Sequence, residues 1–226
     1  MAKIKTLEIT SNLPIKFSEI TLFRGAVIDS LENKDILFHN HKEEGFRYSY
    51  PLIQYKRING NAAIVCVDKG TEAIGEWFSS KKSQINLGER TASLEIESMK
   101  AYMTDVQCVD KYIYYHISNW LPLNSENYSL YTKSDGLIER MEILQKVLVG
   151  NIMSFLKGVD IFLEKQLSVI ITNISRESII EYKDVKLMNF YADFKTNLWL
   201  PNHIGLGKGA STGFGTITRL KETNNI

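Results

Sequence analysis

The chain has 226 residues, with 27 lysines and arginines, 26 aspartates and glutamates and a formal net charge of +1. This length suits one large domain or two of about a hundred residues, and no apolar run reaches the ~18 residues of a membrane span. The near-neutral charge excludes nucleic-acid binding driven by overall charge, so any such binding must use a local basic surface.

The first half of the chain alternates between strand and helix patterns. Apolar residues first recur at every second position and then at helical spacing after Pro14, a residue that suits the first turn of a helix. The predicted elements are a strand over Lys3–Ile9, a helix over Pro14–Leu31, strands over Phe46–Lys56 and Ala62–Val67, a helix over Thr71–Phe78 and a strand over Leu94–Met103. A hairpin signal, Asn59-Gly60-Asn61, separates the two middle strands. This β-α-β-β-α-β order predicts a ferredoxin-like unit.

The second half of the chain follows a similar but incomplete plan. The predicted elements are a strand over Lys111–Trp120, a polar loop over Asn124–Gly136, a helix over Leu137–Lys157, and strands over Leu167–Ile174, Ile179–Tyr182, Val185–Leu200 and Phe214–Leu220. A second helix is not visible in the pattern. This half therefore departs from an ideal ferredoxin-like unit.

Aromatic residues dominate the strand Lys111–Trp120. Because side chains alternate along a strand, Tyr112, Tyr114 and His116 share one face, opposite Tyr115. The Tyr112 face can stack nucleic-acid bases, but packing in the core is the interpretation that we favour.

Five glycines lie close together near the C-terminus: Gly205, Gly207, Gly209, Gly213 and Gly215. Such a loop, with Lys208 inside it, can direct several N–H groups at an anion, and a flexible hairpin turn is the alternative. A P-loop is excluded, since Asn202 and Gly209 stand where that motif needs glycine and Ser or Thr. A dinucleotide fingerprint is rejected because a strand follows the loop, where that motif opens a helix.

The pattern Gly205-x-Gly207-x-Gly209, followed by Gly213-Phe214-Gly215-x-Ile217, resembles the C-terminal glycine-rich loop of the CRISPR repeat-processing endoribonucleases of the RAMP superfamily. The resemblance implies an α+β chain of tandem ferredoxin-like (RRM-like) βαββαβ domains, 1–107 and 108–226, with the second one degenerate. It implies a CRISPR-associated endoribonuclease that cleaves precursor repeat RNA without a cofactor. Proteins of a CRISPR effector complex and a homodimer stay open as further partners.

Two histidines, His39 and His41, follow the first predicted helix. A pair of imidazoles near neutral pH can supply both a base for the 2′-OH of RNA and an acid for the 5′-oxygen leaving group. Nearby cations could offset charge on the phosphorane, and no metal is required. The alternatives are two surface histidines, or a zinc site, which needs three or four ligands.

The family resemblance favours the catalytic interpretation, because its catalytic histidine commonly lies at or just after the end of the first helix. It also implies an assisting tyrosine, for which Tyr48 is the candidate. We expect RNA to contact basic residues and the glycine loop. The predicted RNA-binding residues are Lys42, Arg47, Lys56, Arg57, Gly205, Gly207, Lys208, Gly209, Gly213 and Gly215, with Arg219 beside them.

The sequence leaves other interpretations open. Lys56-Arg57 could be a solvated hairpin end. The whole chain could be a non-catalytic RNA-binding subunit of a CRISPR effector complex, or an unrelated α+β binding module. The N-terminus lacks signal-peptide features, and Cys66 and Cys108 suggest no disulfide framework. We therefore expect a cytoplasmic protein.

Overall fold

The structure is a computed structural model that describes residues 3–31, 41–42, 45–46, 50–80 and 83–221. Contacts between Cα atoms divide the chain into two units. The N-terminal unit comprises Lys3–Thr104 together with Ser211–Gly213, and the C-terminal unit comprises Asp105–Ala210 and the chain from Phe214 onward. The domain limits 1–107 and 108–226 stay a prediction, because compactness alone does not show that a unit folds independently.

The N-terminal unit is built on a four-stranded sheet. Its strands are β1 (Lys3–Pro14), β4 (Ile53–Ile58), β5 (Asn61–Val67) and β8 (Ile96–Asp105), and its helices are α1 (Ile20–Asp29) and α2 (Gly70–Ser80). Two small hairpins pair β2 (His41–Lys42) with β3 (Gly45–Phe46) and β6 (Gln84–Leu87) with β7 (Arg90–Ser93). The strands of the sheet lie in the order β4-β5-β1-β8.

Two predicted boundaries in this unit are wrong. Pro14 ends β1 instead of opening a helix, since Leu13 before it still points into the core and is 4% exposed. Helix α1 begins only at Ile20, after a short 3-10 turn over Phe17–Glu19. The predicted strand Phe46–Lys56 is interrupted, because Phe46 pairs back on His41 and β4 starts after Pro51, which has no N–H for a ladder.

The core of the N-terminal unit lies between the sheet and the helices. Phe23 of α1 meets Tyr55 of β4 edge to face, with ring centroids 5.9 Å apart. Trp77 of α2 and Cys66 of β5 belong to the same buried cluster. Cys66 has no exposed surface, so its thiol is buried.

The C-terminal unit contains a second four-stranded sheet. Its strands are β9 (Cys108–Trp120), β10 (Val169–Tyr182), β11 (Val185–Leu198) and β12 (Thr216–Arg219), and its helices are α3 (Ser125–Lys133) and α4 (Leu137–Gly158). The strands lie in the order β10-β11-β9-β12. β10 is one continuous strand, with two register irregularities against β11, where the pattern predicts two strands.

The predicted loop over Asn124–Gly136 is wrong, because α3 occupies most of it. The side chain of Asn124 accepts a hydrogen bond from the Asn127 N–H at 2.8 Å and caps the helix. Only Tyr131 of this helix is buried. A helix with one buried position carries almost no apolar periodicity, which explains why its sequence looks like a loop.

The two sheets share one topology. Counted in chain order within each unit, the strands lie second, third, first, fourth, as in a ferredoxin-like unit. Helices stand after the first and third strands of the N-terminal sheet, whereas β11 and β12 are joined by the glycine-rich segment instead of a helix. These features confirm the predicted α+β class and the degenerate second unit. None of the described helices is long and apolar enough to cross a membrane.

Candidate nucleic-acid interface

The glycine-rich loop, residues 202–215, is fastened to the C-terminal sheet at its start and at its end. The hydroxyl of buried Tyr115 donates to the Leu200 carbonyl and accepts from the Leu200 N–H, at 3.2 and 2.9 Å. The Leu206 N–H donates to the Gly215 carbonyl at 2.8 Å, and the Gly215 N–H donates to the Asn119 carbonyl at 3.0 Å. The loop is therefore tied to β9 and β12 and is not a free turn.

Close packing within the C-terminal unit explains three of the glycines. Gly207 has φ +83°, and a Cβ there would lie 2.6 Å from Oδ1 of Asn151 on α4. A Cβ on Gly209 would lie 2.8 Å from the Phe214 ring, and one on Gly215 would collide with the Leu206 carbonyl. These close approaches explain the glycines without a bound ligand. Their predicted contact with RNA stays a prediction.

Residues 211–213 of the loop pack within the N-terminal unit. The Tyr55 N–H of β4 donates to the Ser211 carbonyl at 2.8 Å, and Thr212 forms a parallel bridge with Tyr55. A Cβ on Gly213, which has φ +89°, would lie 2.5 Å from Cδ1 of Ile20. This glycine therefore lets residues 211–213 run beside β4 and α1.

Two exposed cations lie in or beside the loop. Lys208 is exposed between Gly207 and Gly209. Arg219, at the end of β12, places its guanidinium carbon 4.1 Å from the centre of the Trp199 ring, a cation–π contact. Both charges are accessible to a phosphate backbone. His203 has φ +62° and lies 3.2 Å from the Asn202 amide through Nε2.

The neighbouring basic residues Lys56 and Arg57 differ sharply in exposure. Lys56 is 1% exposed, and its burial lowers its pKa to about 7. Arg57 is exposed, and its Nε donates to the Ile15 carbonyl at 2.6 Å. Burial leaves Lys56 no surface for a phosphate, which does not fit its predicted contact with RNA. Arg57 retains that possibility.

The burial of Lys56 predicts a specific pH dependence of stability. An unfolded lysine holds its proton up to about pH 10.5, whereas folded Lys56 loses it above about pH 7, so the unfolded state binds more protons between these values and stability rises with pH. Relative to Lys56→Met, the wild type should gain about 1–2 kcal/mol in the free energy of unfolding between pH 7 and pH 8.5. Urea titrations at both pH values measure this difference.

Exposed Lys69, in the same unit, is the matched control, and Lys69→Met should leave the pH dependence of the wild type unchanged. Burial raises the pKa of the Cys66 thiol, which acts in the opposite direction at higher pH. That thiol is present in all three proteins and cancels in the comparison. Parallel stability curves for the wild type and Lys56→Met would contradict a neutral buried lysine.

A basic cleft of about 690 Å³ lies in the N-terminal unit, lined by Lys16, Glu19, Arg57, Arg90 and the turn 59–61. Arg90 donates through Nε to Glu19 at 2.7 Å and through Nη2 to the Pro14 carbonyl at 3.0 Å. The hydrogen bond from Arg90 lowers the pKa of Glu19. Three cations facing one carboxylate leave the cleft positive. Sequence reasoning missed Arg90 because the hairpin of β6 and β7 was not predicted.

The predicted catalytic residues fall almost entirely outside the described part of the chain. His39, Arg47 and Tyr48 lie outside the described residues. The backbones of His41 and Lys42 form β2, paired with Phe46 and Gly45, but their side chains are not described. The roles of all five residues stay predictions. Among the described residues, no group of three or more His, Cys, Asp or Glu side chains is placed to hold a metal ion.

Comparison with known proteins identifies relatives over most of the chain. The Cas6b N-terminal domain model matches residues 2–105 and the Cas6b C-terminal domain model matches residues 107–220. A solved structure described as Cas6b superposes with a TM-score of 0.88 at 26% identity, over 97% of this chain and all of that one. Another, described as the CRISPR RNA processing endoribonuclease Cas6b, gives a TM-score of 0.75 at 24% identity over the same shares.

A curated relative matches half of the chain. The uncharacterized protein MJ0978 of Methanocaldococcus jannaschii is 36% identical over 111 residues, which are 48% of this chain and 73% of that protein. Both halves of the chain thus match Cas6b domain models in the order in which the two units occur. The chain belongs to the Cas6b family, which confirms its resemblance to the RAMP-type CRISPR repeat-processing enzymes.

Proposed function

We propose that this protein is an endoribonuclease that cleaves the repeats of CRISPR precursor RNA. The observation that carries the proposal is the match of both Cas6b domain models, which together span residues 2–105 and 107–220. A solved relative that covers 97% of the chain is named for CRISPR RNA processing. The exposed cations Lys208, Arg219 and Arg57 offer phosphate contacts on both units.

The proposed chemistry is an internal transesterification that uses no metal ion. One imidazole of the pair His39 and His41 takes the proton from the ribose 2′-OH, and the 2′-oxygen forms a bond to phosphorus. The bond from phosphorus to the 5′-oxygen breaks, and the other imidazole, protonated beforehand, gives its proton to that oxygen. The products are a 2′,3′-cyclic phosphate and a 5′-hydroxyl. Histidine suits both roles because its pKa lies near neutrality.

This reaction is tested by comparing RNA with DNA as the substrate and by identifying the chemical groups at the ends of the products. Wild-type protein in EDTA should cut the repeat RNA from its own genomic array and leave a cyclic phosphate upstream and a 5′-hydroxyl downstream. The same repeat made entirely of deoxynucleotides should remain intact, because it lacks the nucleophile. Mass spectrometry of the fragments identifies both ends.

Four results would count against parts of the proposal. A requirement for Mg²⁺, or a 5′-phosphate on the downstream fragment, would exclude the transesterification. Cleavage of the DNA repeat would exclude the 2′-OH as nucleophile. Tight RNA binding by the wild type with no cleavage would favour the non-catalytic subunit of an effector complex.

A further inference from the structure

Strand register gathers an aromatic and basic surface on one face of the C-terminal sheet. In β9, Tyr112, Tyr114 and His116 alternate with buried residues, and β11 pairs Asp193 with His116 and Lys195 with Tyr114. Arg176 of β10 pairs with Tyr191 of β11. Directly paired residues point to the same side of a sheet. We name this surface the tyrosine face, and its residues are Tyr112, Tyr114, His116, Arg176, Tyr191 and Lys195.

The tyrosine face is open to solvent, whereas the other side of the same strands is core. Tyr112 and Tyr114 are 38% and 41% exposed, while Tyr115 and Ile117, which follow them in β9, are fully buried. Helix α3 packs on the buried side, where Tyr131 meets Phe190 edge to face at 5.6 Å. Core packing, the interpretation favoured from the sequence for Tyr112 and Tyr114, is therefore wrong.

The rings of the tyrosine face are held in place by charged neighbours. Lys195 places Nζ 4.8 Å from the centre of the Tyr112 ring, and Arg176 places its guanidinium carbon 5.5 Å from that of Tyr191. Nδ1 of His116 lies 2.7 Å from Asp193, which fixes the imidazole beside Tyr191 at a centroid distance of 6.2 Å. Stacking surfaces and cations thus alternate across three adjacent strands.

We propose that the tyrosine face binds single-stranded RNA, with bases stacked on Tyr112 and Tyr114 and phosphates beside Lys195 and Arg176. Every base has a π-face that can stack on an aromatic ring, and lysine and arginine bind the backbone without regard to sequence. In a duplex the bases are paired and stacked on one another and offer no free faces to the two rings, which favours a single strand as the occupant. The inference extends the proposed function, on which it rests for its RNA substrate.

Charge complementarity favours RNA as the ligand. The carboxylate of Asp193 is paired with His116, and Asp110 near the start of β9 is paired with Lys165 at 3.0 Å. Lys195 and Arg176 lie over the Tyr112 and Tyr191 rings, so two cations stand among the aromatic side chains of the tyrosine face. A polyanion with planar bases satisfies both features of the surface.

The test measures the affinity of the full chain for a labelled oligouridylate of about 16 nucleotides, which carries no repeat sequence. The Tyr112→Ala/Tyr114→Ala double variant should bind about tenfold or more weakly. Tyr112→Leu/Tyr114→Leu should weaken binding in the same way, because leucine keeps apolar bulk and removes the ring. Tyr112→Phe/Tyr114→Phe should bind like the wild type, since stacking does not need the hydroxyl groups.

Tyr128→Ala is the matched control, because Tyr128 is 49% exposed on α3, on the helix side of the sheet. It should bind like the wild type, and thermal unfolding checks that every variant is folded. Wild-type affinity in both the alanine and leucine double variants would overturn the proposal, as would a wild type that binds no single-stranded RNA. A wild type that binds oligouridylate but never cleaves repeat RNA would contradict the proposed nuclease function and would still support RNA binding by the tyrosine face.

Discussion

The His39→Ala/His41→Ala double variant is expected to cleave repeat RNA about 10³-fold or more slowly than the wild type, with binding little changed. General acid–base catalysis by a positioned side chain contributes about 10²–10⁴-fold, and this variant removes both partners of the proton transfer. Single-turnover rates with excess protein isolate the chemical step from product release. Filter binding of repeat RNA that carries a single deoxynucleotide at the cleavage site, and therefore cannot react there, reports RNA affinity separately.

Rescue by free imidazole distinguishes a catalytic role from a structural one. Alanine leaves room where each imidazole stood, so added imidazole should restore part of the activity of the single variants. A histidine that only supports the fold would not respond, and its variant would unfold at a lower temperature. Cleavage at the wild-type rate by the double variant would remove both imidazoles from the mechanism.

Gly215→Ala is expected to destabilise the protein by about 3 kcal/mol or more, or to prevent folding. Gly215 has φ +60°, which L side chains rarely adopt, and an added Cβ would collide with the Leu206 carbonyl. The backbone cannot move aside freely, because the Gly215 carbonyl accepts from the Leu206 N–H and the Gly215 N–H donates to Asn119. Urea unfolding of both proteins measures the difference.

Gly150→Ala provides the matched control in the same unit. Gly150 lies within α4, and an added Cβ there would meet no atom within 4 Å. Alanine should therefore stabilise the helix by about 0.5–1 kcal/mol. If Gly215→Ala were as stable as the wild type, the close approach of Gly215 to the Leu206 carbonyl would be wrong, and the glycine would need another explanation.

Alternation and glycine spacing predicted much of this protein. The strand pattern of the first half predicts the ferredoxin-like order, and the loop ending in Gly213-Phe214-Gly215 predicts the family. Local sequence signals failed where the buried and exposed sides of an element differ little in hydrophobicity. Helix α3 is such an element, because only Tyr131 of it is buried. Local sequence signals failed again at Pro14, because a proline can stand at the start of a helix or at the end of a strand.

The candidate site depended more heavily on tertiary structure. Arg90 entered the basic cleft only because the hairpin of β6 and β7 carries it to Glu19, 71 residues away in the sequence. Lys56, predicted to meet phosphate, is buried, while its neighbour Arg57 is exposed. Residues on both sides of β4 are buried, since Gln54 and Tyr55 have no exposed surface, and a period of two residues does not state where along a strand that cover ends.

The sequence by itself determined the family, the order of strands and helices along the first half of the chain and the glycine pattern of the loop. These features depend on local motifs, backbone geometry and periodicity. Only the tertiary structure decided that Tyr112 and Tyr114 face solvent while Tyr115 is buried. Both faces of β9 carry large aromatic side chains. A period of two residues therefore assigns each side chain to a face but does not say which face is buried. The helices decide which face is buried, because they can cover one side of the sheet and leave the other exposed to solvent.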